Sequence, residues 1–352
     1  MAISRRFVAG ASPGTCTFPG GDSLARVLID SWALTFRIKM WSKTLMVGTR
    51  EQIRFPAGQS FRFLRWDENC RDVELVLAPG KAAMIHGEGT HWHYHPEMEL
   101  AFFESGEGTR YVGDSIEGFH AGDLVLLGEN LPHLWQVAET CRGCSIQWRF
   151  PPNHVFWMLP ELSTLEGLFR RTQRGIRYFG RTGKAASSML SELSAYDGAE
   201  RFAMFVRLLS MLAKAPGSDW KYVSRRQFAL ASGSRHQTSM RDAVHFLFKN
   251  YTEEVHLPNL LRELGMTKPT FSRHFKRHSG KTFSEFLQHV RLQQVCRDLK
   301  ETDEPVTKIA LACGFTQISF FNRVFRRSFA CSPLEYRRRH QGRGRPAPST
   351  DT

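Results

Sequence analysis

No stretch of this 352-residue chain is apolar for long enough to cross a membrane; its apolar runs are as short as FAMFV at 202–206. That excludes a spanning protein and predicts no membrane partner. Cysteine is scarce as well. The seven present are odd in number and scattered, which excludes a disulfide framework and predicts reduced thiols in a cytoplasm. Cys141 and Cys144 form one CxxC without a second pair nearby, so they read as two small semi-buried residues rather than zinc ligands. The sequence SRRFVAG at Ser4 lacks the apolar stretch of a twin-arginine signal; Pro, Gly and Asp follow instead. Acidic side chains are outnumbered, 34 Asp+Glu against 48 Lys+Arg, for a net charge of +14. Such an excess points to a polyanionic partner. With 41% hydrophobic and 12% aromatic residues, the chain can bury real cores and is not a disordered tail.

What is there changes along the chain. Residues 1–60 read as a partly disordered arm rich in Gly, Pro and Ser, with Met40 and Met46 as candidate alternative starts. From 61 to 152, short alternating runs such as VELVLAPG, MELAFFESG and GDLVLLG end in Gly, Pro or Asp turns, the pattern of a small antiparallel β-barrel. From 153 to 214, apolar residues three and four apart predict amphipathic helices over FWMLPELSTLEGLFRRTQRGIRYFG and SSMLSELSAYDGAERFAMFVRLLSMLAKA, a helical linker suited to dimerisation. Residues 215–237 are polar and irregular and read as a linker. Residues 238–340 predict an all-α domain, and 341–352 a disordered tail. The expected class is therefore α+β.

The positive charge is concentrated late. Residues 241–340 carry 18 Lys+Arg and 10 Asp+Glu, which is +8 of the total. The same stretch repeats itself. Phe271-Ser-Arg273-His-Phe275-Lys276-Arg277 matches Phe321-Asn-Arg323-Val-Phe325-Arg326-Arg327, and LGMT (264–267) matches CGFT (313–316) with one inserted residue. Each copy reads as helix, turn, helix. Gly265 and Gly314 make the turns, Thr267 and Thr316 are the expected N-caps, and Phe271/Phe275 and Phe321/Val324/Phe325 face back to the core. Pro269 is tolerated because it sits in the first turn. Between the copies, TFSEFLQHVRLQQVCRDLK predicts a helix of about 28 Å, close to the roughly 34 Å turn of B-DNA. Two basic helices so spaced could enter successive major grooves on one face of a duplex.

This segment resembles the AraC/XylS-type DNA-binding domain, through LGMTKPTFSRHFKRHSG, Arg291-Leu292, VTKIALACGF, FFNRVFRR and SPLEYRR. The resemblance implies base reading by Lys268, Pro269, Thr270, Ser272 and Arg273 in the first copy, and by Gln317, Ile318, Ser319, Asn322 and Arg323 in the second. It implies phosphate contacts by Lys276, Arg277, Arg326 and Arg327, which set affinity rather than sequence. The chain departs from the family pattern at Leu261, where a small residue is usual, and at Ala330, where a late glycine is usual.

In the β region, Gly87-x5-His93-x-His95-x3-Glu99-x6-Gly106 resembles the first cupin motif, and GDLVLLGENLPH (122–133) the second, with His133 as a fourth ligand candidate. Strand alternation puts His93 and His95 on one face. A mixed N/O set of this kind suits Fe, Mn, Ni or Zn. The resemblance has two branches, metal-dependent cupin enzymes and the sensory domains of AraC-type regulators. Fusion to a DNA-binding half favours the sensor. The expectation is a non-enzymatic, cytoplasmic, dimeric regulator that binds promoter DNA, with RNA polymerase as a further partner if it is an activator, and that responds to a small effector such as a sugar in the barrel; the sign of regulation is left open. No cofactor is required on this reading, though His93, His95, Glu99 and His133 could hold a divalent metal. Trp92, Tyr94 and Trp135 are further candidates for the effector wall, while His91 and His120 read as ordinary hydrogen-bonded residues. The competing expectation is a metal-dependent cupin enzyme with an appended DNA-binding domain. A third is a constitutive DNA-binding protein whose barrel only dimerises.

Overall fold

The computed structural model describes residues 53–87, 89–228 and 236–341, which fall in one compact unit. Most of the N-terminal arm, most of the junction after residue 228 and the C-terminal tail lie outside the described residues.

Strand alternation accounts for the first half. Strands β1 (Phe61–Glu68), β2 (Asp72–Ala78), β3 (Lys81–His86), β4 (Met98–Ser105), β7 (Asp123–Leu127), β9 (Cys141–Trp148), β10 (Ile176–Tyr178) and β11 (Trp220–Tyr222) form one sheet in the order β11-β10-β7-β4-β9-β1-β2-β3. A second sheet has the order β6-β5-β8, from β5 (Gly108–Val112), β6 (Ser115–Phe119) and β8 (His133–Val137). Strand β4 is buried on both faces, so its sequence is apolar nearly throughout. Met98, Leu100 and Phe102 point outward, while Ala101 and Phe103 point inward toward Val112, Phe119 and Trp135 of the small sheet.

The outer face of the large sheet is covered by helices α2 (Gly180–Glu192) and α3 (Gly198–Ala213), whose Ala186, Leu190, Phe205, Leu208 and Leu212 join the Met98–Leu100–Phe102 cluster. The segment expected to link the domains therefore closes the back of the β-domain. Its first part is not one amphipathic helix. It breaks into 3-10 turns at Val155–Met158 and Pro160–Leu165, a short α1 (Glu166–Arg171), and then strand β10, which pairs with β7. Pro160 starts a new turn, and Gly175, at φ 62°, reverses the chain into the sheet. Trp220–Tyr222, inside the expected linker, is strand β11, paired with β10.

The last hundred residues are helices α4 (Gln237–Asn250), α5 (Leu257–Glu263), α6 (Lys268–Ser279), α7 (Phe283–Glu301), α8 (Val306–Ala312), α9 (Ile318–Phe329) and α10 (Pro333–Gln341). Helix α7 starts with a capping box, Thr282 and Glu285 each bonding the other's backbone. It is the rod between two cores. Phe286 and Val290 belong to one with Phe271 and Phe275 of α6, and Leu292, Val295, Cys296 and Leu299 to the other with Phe321, Val324 and Phe325 of α9. The first core does not end at the helices. Trp92, Tyr111 and Leu134 of the β-domain are part of it, with Trp92 edge-on to Phe286 at 5.9 Å.

Candidate functional sites

The two helical hairpins present matching faces. Gly265 (φ 61°) and Gly314 (φ 85°) turn the chain into α6 and α9. A Cβ at Gly314 would meet the Tyr251 carbonyl at 2.6 Å, so that turn also needs glycine for space. Arg291 fixes the same corner from the rod, its Nε donating to the Tyr251 carbonyl at 2.7 Å. In α6, Phe271, Phe275 and His278 are buried, while Lys268, Pro269, Ser272, Arg273, Lys276 and Arg277 are exposed and Thr270 is half-buried. In α9, Phe321, Val324 and Phe325 are buried. There Gln317, Ser319, Arg323, Arg326 and Arg327 are exposed, and Ile318 and Asn322 are half-buried. The residues expected to read bases thus lie on the side of each helix opposite its buried phenylalanines, with Thr270, Ile318 and Asn322 at its edge. Arg323 lies over the Phe320 ring at 5.5 Å, which orients its guanidinium along the helix surface.

The caps differ in detail from the expectation. Thr267 occupies the N-cap of α6, but its hydroxyl donates to Thr270 Oγ1 at 3.0 Å and caps no backbone N–H. The N-cap of α9 is Gln317, not Thr316. At the C-termini, Gly280 (φ 70°) and Ala330 (φ 54°) both take the left-handed conformation, so Ala330 does the work of the usual glycine at a steric cost.

Inside the β-domain, His93, His95 and His133 bring ring nitrogens within 4.8 Å of one another. The backbone sets this up: His93 and His133 face each other in an antiparallel bridge, exchanging N–H···O bonds of 3.2 and 2.9 Å. Each imidazole lies with Nδ1 on a main-chain carbonyl, His93 on His91 O (2.7 Å), His95 on Glu97 O (2.9 Å) and His133 on Leu131 O (2.7 Å). A carbonyl only accepts, so each Nδ1 carries a proton. Glu99 completes the group, with Oε2 3.2 Å from His95 Nε2 and 3.6 Å from His133 Nε2, and accepting from Gln147 Nε2 at 2.8 Å. Burial, with His133 and His95 adjacent, holds His93 well below the ordinary histidine range, so it is neutral at pH 7. Burial alone would raise Glu99, but the adjacent His133 and His95 rings outweigh it and hold the carboxyl well below its usual range, so it is ionised. Three imidazoles fixed through Nδ1 on carbonyls, with one carboxylate beside them, are a donor set that suits a divalent cation once Nε2 is unprotonated.

The pocket around this group holds about 50 Å³. Trp135 lines it, as expected. Trp92 and Tyr94 do not, because alternation turns them outward while His93 and His95 turn in. Trp92 meets Phe286 of α7 and Tyr94 meets His278 of α6 at 5.9 Å. Sequence reading missed Arg62, Ser145 and Gln147 in the wall. The signal was available: Arg62 is a buried charge in the apolar strand FRFLRW, at inward parity. His91 is half-buried against His245, and His120 is exposed, paired with Glu107 at 2.9 Å. A larger cleft, about 750 Å³, lies between the small sheet and the rod. Its wall includes Thr109, Glu117 and His120 on one side and His289, Gln293 and Arg297 on the other.

Comparison with known proteins bears on the helical half first. A family described as a helix-turn-helix domain matches residues 260–339. The transcriptional activator RhaS of Pectobacterium carotovorum subsp. carotovorum is 26% identical over 290 residues, covering 78% of this chain and 96% of that protein. RhaS of Salmonella schwarzengrund is 24% identical over 265 residues, covering 71% and 87%. Among solved structures, the DNA-binding domain of AdpA in complex with a target DNA aligns with 27% identity over 30% of this chain and 95% of that one, at a TM-score of 0.29.

Proposed function

We propose, for a chain that is a DNA-binding transcriptional regulator of the AraC/XylS type, that the β-domain couples ion and effector binding to promoter recognition. The observation that supports this most directly is the core shared by Trp92, Tyr111 and Leu134 with α4, α6 and α7. His93 and His95 alternate with Trp92 and Tyr94 on one backbone segment, and His133 precedes Leu134. A ligand that tightens the histidines acts on the residues that seat the first reading helix, and its effect equals its differential affinity for the two states.

On this reading α6 reads bases through Lys268, Pro269, Thr270, Ser272 and Arg273, and α9 through Gln317, Ile318, Ser319, Asn322 and Arg323. Lys276, Arg277, Arg326 and Arg327 hold phosphates. The protein acts as a cytoplasmic homodimer and an activator engaging RNA polymerase, and performs no catalysis. His93, His95, His133 and Glu99 would hold a divalent ion, whose role is to fix the four side chains. A pocket of about 50 Å³ is far below the roughly 300–1,000 Å³ of metabolite sites, so it suits an ion rather than a sugar. The cleft of about 750 Å³ against the rod has room for a metabolite-sized effector.

Selection of the full chain against random-sequence duplex tests the DNA reading. We expect enriched sites with two blocks separated by about one helical turn, 10–10.5 bp. A pool that stays random at low salt sinks it. Titration of the stripped protein with Co²⁺ tests the ion site. We expect one bound ion with a visible absorption band that disappears in His95→Ala, and absence of uptake by the wild type removes the ion from the proposal.

A further inference from the structure

We propose that Cys70 and Cys141 are a peroxide-responsive thiol pair that closes to a disulfide at the edge of the histidine pocket. The sequence offered Cys141 and Cys144 as a CxxC, but the two point to opposite faces of β9. Cys144 joins the outer cluster with Phe102 and Ile146, and Cys141 the inner one with Trp66 and Phe103. The sulfur that faces Cys141 belongs to Cys70, 71 residues away, with the two Sγ atoms 3.5 Å apart and both side chains buried.

The chain is bent to put it there. Glu68, paired with Cys141 at the end of β1, has φ 94°, a conformation that non-glycine residues rarely adopt. The turn that follows is fastened by Asn69, whose Oδ1 accepts from the amides of Arg71 (2.8 Å) and Asp72 (3.0 Å). Strain of this kind persists only where the surroundings enforce it, and it collects at functional positions. Forming the bond brings the sulfurs to about 2.05 Å, a closure of roughly 1.5 Å that a turn can supply. Cys70 lines the histidine pocket, whose roughly 50 Å³ admits a molecule of the size of water or hydrogen peroxide.

The chemistry balances with one hydrogen peroxide. One thiol sulfur takes an oxygen from it as a sulfenic acid, breaking the O–O bond and releasing water. The second thiol sulfur displaces that hydroxyl as a second water, forming the S–S bond. Two thiols are oxidised by two electrons and the peroxide is reduced to two waters. The closed bond would be felt along the pocket wall. Gly87 donates its N–H to the Arg71 carbonyl at 2.7 Å, and a Cβ at Gly87 would lie 2.4 Å from the Cys70 carbonyl oxygen. Movement of the turn therefore moves Gly87, which leads into the segment carrying His93 and His95.

The test uses the full-length wild-type chain, treated with a small excess of hydrogen peroxide, alkylated and digested with trypsin without reductant. Trypsin separates the candidates, because Cys70 falls in WDENCR (66–71), Cys141 in the peptide 111–142 and Cys144 in GCSIQWR (143–149). The expected product is WDENCR linked to 111–142, reversed by dithiothreitol, with amide exchange altered across 85–95 in the oxidised protein. Cys70→Ser should abolish the link while leaving Cys144 alkylated. Free Cys70 and Cys141, a Cys141–Cys144 link, or sulfinic acid without a link would each overturn the pair. A link that leaves exchange across 85–95 unchanged would overturn its action on the pocket. None of these outcomes depends on metal or DNA binding.

Discussion

His278 is the residue whose burial has the clearest energetic signature. It sits at the end of α6 against Tyr94, only 3% exposed, and burial, with His274 and Arg277 nearby, pulls it down to about 4. Unfolded, the imidazole titrates near 6.5. Between pH 6.5 and 4 the unfolded chain binds the extra proton, so stability from this residue is complete above about 6.5 and lost as pH falls toward 4. The loss is up to about 3 kcal/mol. We expect the urea midpoint to fall more steeply between pH 7 and 4.5 in the wild type than in His278→Leu; equal slopes would contradict the assignment. On the face proposed to read DNA, Arg323→Ala should cost about 1–3 kcal/mol on a selected duplex and relax one base position. Arg327→Ala should weaken all sequences alike and lower the salt slope by about 1, read by titration at several salt concentrations. At this scale the sequence was informative where spacing decides: exposed Arg323 and Arg327 and inward His93 and His95 follow from parity and periodicity. It was silent on Gln147, because long-range pairing of β9 with β4, not local pattern, sets it opposite Glu99, and on what inward-facing Arg62 meets, which is Gln147 across the β1–β9 pair.

Among the elements, the two hairpins repeat a sequence but not a cap. Ala330 holds φ 54° where Gly280 holds φ 70°. Relieving the left-handed cost of roughly 1–2 kcal/mol, less about 0.4–1 for a looser unfolded chain, Ala330→Gly should stabilise the chain by about 0.5–1 kcal/mol. The reverse change is not symmetric. A Cβ at Gly280 would lie 2.4 Å from Asp114 Cβ in the β5–β6 turn, so Gly280→Ala should destabilise by more than that gain and loosen the helical hairpin from the β-domain. Chemical denaturation of both variants checks the opposite signs. The hairpins and the rod were readable because their signals are local. The segment 154–180 was not. Its apolar spacing suits a helix, but Tyr178 and Ile176 find better partners on the edge of β7, and pairing across 50 residues leaves no mark in a window of ten.

For the whole molecule, α+β order was visible in the change of periodicity near residue 152, but that change does not mark where the β-domain ends, since residues 153–222 cover its sheet and add strands β10 and β11 to it. That the two parts share a core was not visible. Trp92 and Leu134 read as pocket or barrel residues, since an apolar stripe does not say what will cover it. The core around the first hairpin continues into the β-domain through Trp92, Tyr111 and Leu134, whereas the second hairpin closes on the rod and α10.

On the proposed reading the rod's length has a counterpart in the spacing of the recognised blocks. Nineteen residues of α7 set the rotational phase of α9 relative to α6. One alanine inserted between Arg291 and Leu292 would swing the second hairpin by about 100°, off the side of the duplex that the first one faces. Reselecting sites with that variant should return single-block motifs, whereas unchanged two-block sites would mean that the linker lets the hairpins search independently. On the proposed reading a helix spaces the recognised blocks, and a base pair gained or lost between them should be tolerated as poorly as a residue gained or lost in the rod.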